Sequence, residues 1–351
     1  MTASVRSTDA SVGSWIFTLK PLSSVRGMYS IPIQPSGTIA MKTDPMTGGL
    51  VPAVSGEDLA AAVPGLSSWA DVDVVEFSNV PSGWMDTEKM LSLARTIDGL
   101  ADKADGFVVT HGTDSLEETA FFLDMTLHTE KPVCVTGAMR GASDLSADGP
   151  ENILSAVRVA ASDRSRGMGV LVCLQDRIYA AFDVTKFHTT NPDTFRDLHY
   201  GPLGTVYSHE IIYGRRPIGH LRLHPSSLSA KVWMVTCWSG MEGNIIRAAG
   251  EAQVDGLIVD ALGCGNVPPK CKAEMMKLGE DGLPMVLTTR VPSGSVMEEY
   301  SYDGSALSMK KSGLILGGRL SAWKARLLLA IALGVTKDRE EIRAIFEKLA
   351  H

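Results

Sequence analysis

Cysteine is scarce in this sequence: Cys134, Cys173, Cys237, Cys264 and Cys271, an odd number with no Cys-x-x-Cys spacing. That pattern excludes a disulfide framework and a cysteine-built zinc site. Cys134 and Cys173 sit inside apolar, strand-like runs and read as small buried hydrophobes. No apolar run approaches the ~20 residues a membrane helix needs. The first thirty residues also lack an apolar segment flanked by positive charge and a cleavage site. A reducing cytoplasm is therefore the expected location. There is no excess of positive charge either: 33 Lys and Arg stand against 40 Asp and Glu, a formal net charge of −7. That balance argues against nucleic acid or an anionic membrane as the main partner. His-Glu-x-x-His, a P-loop and the dinucleotide glycine fingerprint are all missing, so neither zinc nor phosphate chemistry is suggested.

What is present is a chain of 351 residues with 44% apolar and 21% charged residues, ordinary for a water-exposed globular protein and long enough for two cores. Short apolar runs alternate with segments of helical period. Strands are predicted at Trp15–Leu19, Met28–Ile33, Val72–Phe77, Phe107–Thr110, Pro132–Thr136 and Gly169–Leu174. Helices are predicted over 55–63, 86–100, 115–128 and 150–162, and an irregular stretch follows to about 210. A polar linker with Pro217 and Pro225 leads into a smaller block. Its strands are predicted at Val232–Thr236, Gly256–Asp260 and Pro284–Thr288, and its helices near 241–252, 270–278, 321–334 and 338–350. Alternation of this kind implies an α/β fold with mostly parallel sheets covered on both faces. The expected division is a larger N-terminal domain over 1–215 and a smaller C-terminal α/β domain over 230–351.

The chain is organised around Phe107-Val-Val-Thr-His111-Gly112-Thr113-Asp114-Ser-Leu-Glu-Glu-Thr119. A β-branched run ends in a tight turn, and a helix opens with acidic residues, which suit the unpaired N–H groups of a helix start. That arrangement delivers His111, Thr113 and Asp114 to the carboxyl edge of a parallel sheet, where open α/β folds bind small molecules. Other hydroxyls and charges also fall at strand ends: Thr38, Ser82, and Thr185 with Lys186. A threonine hydroxyl is a poor nucleophile until a base takes its proton, and a lysine beside it can serve. If Lys186 meets Thr113 and Asp114, the trio resembles a Ser-His-Asp relay in role, with lysine as proton acceptor.

These residues carry a resemblance. His111-Gly-Thr-Asp-Ser-Leu-Glu-Glu-Thr, Thr136-Gly-Ala138-Met-Arg140, Ser146-Ala-Asp-Gly-Pro150, Asp183-Val-Thr-Lys186 and Tyr200-Gly-Pro-Leu-Gly204 are similar to motifs of the bacterial-type L-asparaginases. Gly37-Thr38-Ile-Ala40, Arg290-Val-Pro-Ser-Gly294 and Lys324-Ala-Arg326 fit as well. The resemblance runs in order from about residue 30 to the C-terminus. It implies two α/β domains, a homotetramer built as a dimer of dimers, and no cofactor or metal. It further implies hydrolysis of a small side-chain amide through an acyl-threonine on Thr38. Thr113, Asp114 and Lys186 would form the second catalytic set, Ser82 would hold the substrate carboxylate, and Ala138 would present a backbone carbonyl near the amide nitrogen. Gly37, Gly83 and Gly112 would line the substrate pocket, and backbone N–H groups around Thr113 and Asp114 would stabilise the oxyanion.

The departures concern the substrate. The first motif reads Pro35-Ser36-Gly37-Thr38 where the family has Thr-Gly-Gly-Thr, and residues 41–54 hold none of the tyrosine the family places there. Gly83 follows Ser82 where many members have a glutamine that contacts the α-amine. The position of the neighbouring subunit's glutamate is Ser301 by counting, with Glu298 and Glu299 nearby. Amine recognition is thus thinned around Asp114. Four readings remain open: a plain asparaginase; an amidase, imidase or lactamase on a different small acid; a catalytically weak small-molecule-binding paralogue; and, least favoured, the amidase subunit of a tRNA-dependent amidotransferase.

Overall fold

The structure, a computed structural model, describes residues 63–78, 80–218 and 221–349 in full, together with the strands Ser14–Lys20, Met41–Thr43 and Leu50–Pro52 as backbone. Thr38, Gly37, the strand predicted at 28–33, all but Val63 of the helix predicted over 55–63 and most of the loop without tyrosine lie outside the described residues. The chain divides into two compact units, Met1–Ile218 and Gly219–His351.

In the first unit the strands are β1 (Ser14–Lys20), β2 (Met41–Thr43), β3 (Leu50–Pro52) and β4 (Asp71–Ser78), followed by helix α1 (Thr87–Leu100). Then come β5 (Phe107–Thr110), α2 (Leu116–Thr126), β6 (Val133–Thr136), α3 (Gly149–Ala161) and β7 (Val170–Leu174). Five short strands close it: β8 (Arg177–Ala180), β9 (Val184–Lys186), β10 (Phe195–Asp197), β11 (Gly204–Val206) and β12 (Ile211–Tyr213). The main sheet has the order β12-β11-β8-β7-β6-β5-β1-β4. Its parallel pairs are β5 with β6 and β6 with β7, and antiparallel pairs extend this parallel centre on both sides. The parallel centre is the part that reads as alternating strand and helix in the sequence.

Strand alternation sorts the centre into two faces. Val108, Cys134, Leu171 and Cys173 share a buried cluster with Ile153, Ala156, Val157 and Ala160 of α3. The alternate residues Phe107, Val109, Val133, Val135 and Val172 are buried as deeply, so both faces of the parallel strands are covered, as parallel pairing requires. On α1, Met90, Leu93, Ala94 and Ile97 recur at helical spacing and are buried, while the Asp86 carboxylate caps the helix by accepting the Lys89 N–H at 2.8 Å. Helix α2 is buried nearly all round, in keeping with its apolar Ala-Phe-Phe-Leu centre.

The second unit contains β13 (Val232–Thr236), α4 (Asn244–Glu251), β14 (Gly256–Ala261), α5 (Pro269–Glu280), β15 (Met285–Thr289), α6 (Ala306–Lys311), β16 (Ile315–Leu316), α7 (Ala322–Val335) and α8 (Arg339–Leu349). Its four strands pair in parallel in the order β13-β14-β15-β16. Val235, Val259, Leu287, Met275 and Ile246 meet in one apolar cluster. Among the described residues no helix is long and apolar enough to cross a membrane.

Candidate active site

Strand β5 ends at Thr110, and the turn that follows carries Thr113 and Asp114 before α2 begins at Leu116. The turn is pinned from both sides. The His111 N–H donates to the Thr136 carbonyl at 2.8 Å, continuing the register with β6. The His111 ring then locks the turn to its own helix. Nδ1 lies 2.6 Å from the Gly112 carbonyl, which can only accept, so Nδ1 carries the proton. Nε2, 3.0 Å from Thr119 Oγ1, therefore accepts from that hydroxyl. The ring is fully buried, and burial pulls its basicity down to about 4 against the smaller opposing effects of the Gly112 bond and Asp114. His111 is a neutral clamp.

Gly137, just past β6, makes this arrangement possible. A methyl group there would lie 2.5 Å from the His111 carbonyl oxygen and 3.2 Å from Thr113 Cγ2, so only glycine lets the two turns approach so closely. Beyond it, the loop to Arg140 is held by Asp148 and Asn152. The Asp148 carboxylate accepts the N–H groups of Met139 and Arg140 at 3.1 and 2.9 Å. The Asn152 amide donates to the Gly137 carbonyl at 2.9 Å and accepts the Gln175 N–H at 2.9 Å. Ala138, the predicted backbone contact, is buried inside this fixed loop.

Lys186 arrives at the same place from the end of β9. Its ammonium nitrogen stands 3.0 Å from Thr113 Oγ1 and 2.8 Å from Asp114 Oδ1. Thr113 is 7% exposed, whereas the Asp114 side chain is 79% and that of Lys186 16% exposed. The three therefore form a contact with one buried hydroxyl and one open carboxylate. Ser82, buried at the start of a single 3-10 turn (Ser82–Trp84), is linked to the Thr113 turn because the Ser115 hydroxyl donates to the Ser82 carbonyl. Gly83 faces open space: no described atom lies within 4 Å of where its side chain would begin. In the second unit, Glu298 is paired with Lys310, and Glu299 and Ser301 are exposed.

The described geometry thus brings together Thr113, Asp114 and Lys186, with Ser82, Gly112 and Ala138 on turns tied to them; Thr38 and Gly37 lie outside it. Gly137, Ser115, Asp148, Asn152 and Glu117 support the site without any motif role legible in the sequence. Gly137, Ser115 and Asp148 lie in or beside the motifs as turn and cap residues and Asn152 lies in the first turn of α3, with nothing in their spacing to show what they hold. Glu117, one of the acids that suit a helix start, is in fact buried and accepts the Lys186 N–H at 3.0 Å. The Tyr200-Gly-Pro-Leu-Gly motif has a structural part: Asp197 accepts the N–H groups of His199 and Tyr200 and is paired with Arg215 at 2.8 Å. No group of three or more His, Cys, Asp or Glu among the described residues is placed to hold a metal ion.

A family model of the asparaginase N-terminal domain matches residues 32–219, and one of the glutaminase/asparaginase C-terminal domain matches residues 231–346. "L-asparaginase 2" of Escherichia coli is 37% identical over 320 residues, spanning 89% of this chain and 90% of that protein. "Probable L-asparaginase periplasmic" of Haemophilus influenzae is 37% identical over 83% of this chain and 84% of its own length. A crystal structure of "Probable Cytoplasmic L-asparaginase" from Campylobacter jejuni superposes with a TM-score of 0.80 at 34% identity, covering 90% of this chain and 97% of that one. The two-unit α/β fold and these similarities define an asparaginase-like amidohydrolase. The chain belongs to the asparaginase family.

Proposed function

We propose that the chain hydrolyses the side-chain amide of a small acid through an acyl-threonine, with Thr113, Asp114 and Lys186 handling the proton. The observation that carries the reading is the position of the Lys186 nitrogen, 3.0 Å from Thr113 Oγ1 and 2.8 Å from Asp114. A base must stand within hydrogen-bond reach of the proton it takes, and this one does. In its amine form Lys186 accepts the Thr113 hydroxyl proton. Asp114 orients the nitrogen and stabilises the ammonium that results. Thr38 is proposed as the residue that becomes acylated, on the strength of the family motif. Its hydroxyl oxygen bonds to the amide carbon as the C–N bond breaks. The Thr113–Lys186 pair takes the hydroxyl proton and returns it to the leaving nitrogen as ammonia departs. Water then hydrolyses the ester to release the acid and restore the hydroxyl. N–H groups of the turn around Thr113 and Asp114 would steady the oxyanion. Ammonia release from L-asparagine by the wild-type chain and by Lys186→Met tests the reading. Turnover in the wild type and its loss in a folded Lys186→Met variant support it. Near-normal kcat in the variant removes Lys186 from the chemistry.

A second reading concerns the substrate and rests on Gly83. A cationic amine drawn out of water needs acceptors, and a hydrogen bond to a charged group is worth roughly 1.5–3 kcal/mol. Gly83 offers none and leaves room instead. On this reading, amides with a masked, cyclised or absent α-amine are turned over better than L-asparagine. Comparing kcat/KM for L-asparagine and for its α-N-acyl and deamino analogues decides it, and a preference for L-asparagine above about tenfold, which is about 1.4 kcal/mol, marks a plain asparaginase.

Two further proposals complete the reading. The protein is a homotetramer, which sizing would show as four times the 37.5 kDa chain. It works in a reducing cytoplasm, a placement supported by five free cysteines, four of them buried. Burial pushes the Cys237 thiol up to about 12, far from reactive thiolate chemistry.

A further inference from the structure

Lys186 holds Thr113 and Asp114 with the end of a flexible four-carbon stem. Those two contacts must loosen and re-form as the proton moves. Something else must therefore keep the lysine in place between turnovers.

The backbone supplies the candidate. Strands β9 and β10 form a separate two-stranded ribbon in which Lys186 lies opposite Phe195. The next residue, Phe187, donates its N–H across the ribbon to the Thr194 carbonyl at 2.8 Å. Because successive residues of a strand turn their N–H groups to opposite sides, the N–H of Lys186 points away from the ribbon. It finds Glu117 Oε1 at 3.0 Å. Glu117 sits in the first turn of α2, directly after the turn that carries Thr113 and Asp114, and is itself buried at 7% exposure. One helix start thus holds both partners of the lysine nitrogen and, separately, the lysine backbone.

We propose that Glu117 is a positioning residue for Lys186, fixing the lysine backbone against the Thr113 turn so that the side-chain nitrogen stays within reach while its own contacts change. This rests on the proton-transfer reading above. The link is to a backbone N–H and consumes no proton, so it persists through the cycle. It also satisfies a donor that the two-stranded ribbon cannot pair. Only the acceptor oxygen is needed for this, not the charge.

The test is steady-state ammonia release from L-asparagine by Glu117→Ala, Glu117→Gln and Glu117→Asp, with Lys186→Met alongside and thermal melts of each. Glu117→Ala removes the acceptor and should lower kcat by about tenfold or more, since misplacements near 1 Å cost on that scale, while KM stays within about threefold. Glu117→Gln keeps an oxygen at the same reach and should restore kcat to within about threefold with an unchanged pH profile. If Glu117→Ala does not fold, Glu117→Asp, which withdraws the carboxylate by one methylene, takes its place under the same criterion. A kcat within about fivefold of wild type in the folded acceptor-removed variant overturns the proposal, as does a Gln variant no better than that variant. The two failures separate cleanly. Turnover retained by Lys186→Met defeats the proton-transfer reading, whereas a dead Lys186→Met beside an unaffected Glu117→Ala defeats only the positioning role.

Discussion

Two sheet edges in this chain end in the same kinds of side chain and are wired to different ends. After β5, Thr113, Asp114 and Lys186 share one contact in which the carboxylate stays largely in solvent. In the second unit the parallel strands finish in Thr236, Asp260, Thr288 and Arg290. There Asp260 is 8% exposed, accepts from the Thr236 hydroxyl at 2.9 Å and lies 3.5 Å from that of Thr288. Burial lifts its carboxyl above the ordinary range despite those hydroxyls, and Arg290 donates to the Cys237 carbonyl at 3.2 Å. The second edge closes its polar groups on one another and stitches three strands together. The first leaves a hydroxyl and a base facing an open carboxylate. Residue types at the carboxyl edge of a sheet therefore do not define a site; what matters is whether their donors and acceptors are already spent.

The largest break in that comparison should come from Gly137. Gly137→Ala sets a methyl group 2.5 Å from the His111 carbonyl and displaces the Thr113 turn, so kcat/KM should fall by about 100-fold. Gly99→Ala on α1, whose methyl likewise meets no described atom, should change kcat/KM by less than about threefold. Paired kinetics on the two variants read the contrast directly.

Next in size is the acid response of the clamp. His111 is held neutral, its basicity pulled down to about 4 by burial, whereas an unfolded histidine titrates near 6.5. Between those values the unfolded chain binds a proton that the folded chain refuses. Stability should therefore fall as pH drops from about 6.5 to about 4, by at most roughly 3 kcal/mol, with the loss complete below that window. Denaturant melts across the window should show a shallower slope in a folded His111→Asn variant than in wild type. An unchanged slope would contradict a buried neutral imidazole.

The smallest effect on catalysis is expected at the closed edge. Asp260→Ala leaves the Thr236 and Thr288 hydroxyls without their shared acceptor and should cost about 1–3 kcal/mol of stability. Its kcat should stay within about threefold of wild type. A large loss of kcat in a folded Asp260→Ala protein would mean the second edge is not merely structural.

Much of the open edge could be read before the fold was seen. The β-branched run, the Gly-containing turn and the acidic helix start located β5, Thr113 and α2, and the apolar spacing of Met90, Leu93, Ala94 and Ile97 located the buried face of α1. The antiparallel flanks were harder. Strand β8 follows β7 after only Gln175 and Asp176, both in the left-handed region at φ 48° and 60°. Such turns usually announce themselves with Asn-Gly or Asp-Gly. Gln-Asp gives no such signal; Ser155 steadies Asp176 from α3 at 3.0 Å instead. Strands β9 to β12 have three residues each, too few for a period of two to show. Glu117 was hidden by a sufficient local explanation, since an acid in the first turn of a helix needs no tertiary partner. Gly137 was hidden because a close approach between two turns has no one-dimensional signature.

The central claim, that Thr113 and Lys186 act as one proton-handling unit, is tested most directly by a double-mutant cycle on kcat for ammonia release. Thr113→Val and Lys186→Met are measured singly and together, with melts to confirm folding. Groups that act as a unit are strongly non-additive. Each single variant should lose about 100-fold or more, in the range of general-base catalysis, and the double variant should lose no more than about threefold beyond the worse single. Losses that multiply in the double variant, or a single variant that keeps near-normal kcat, would contradict it.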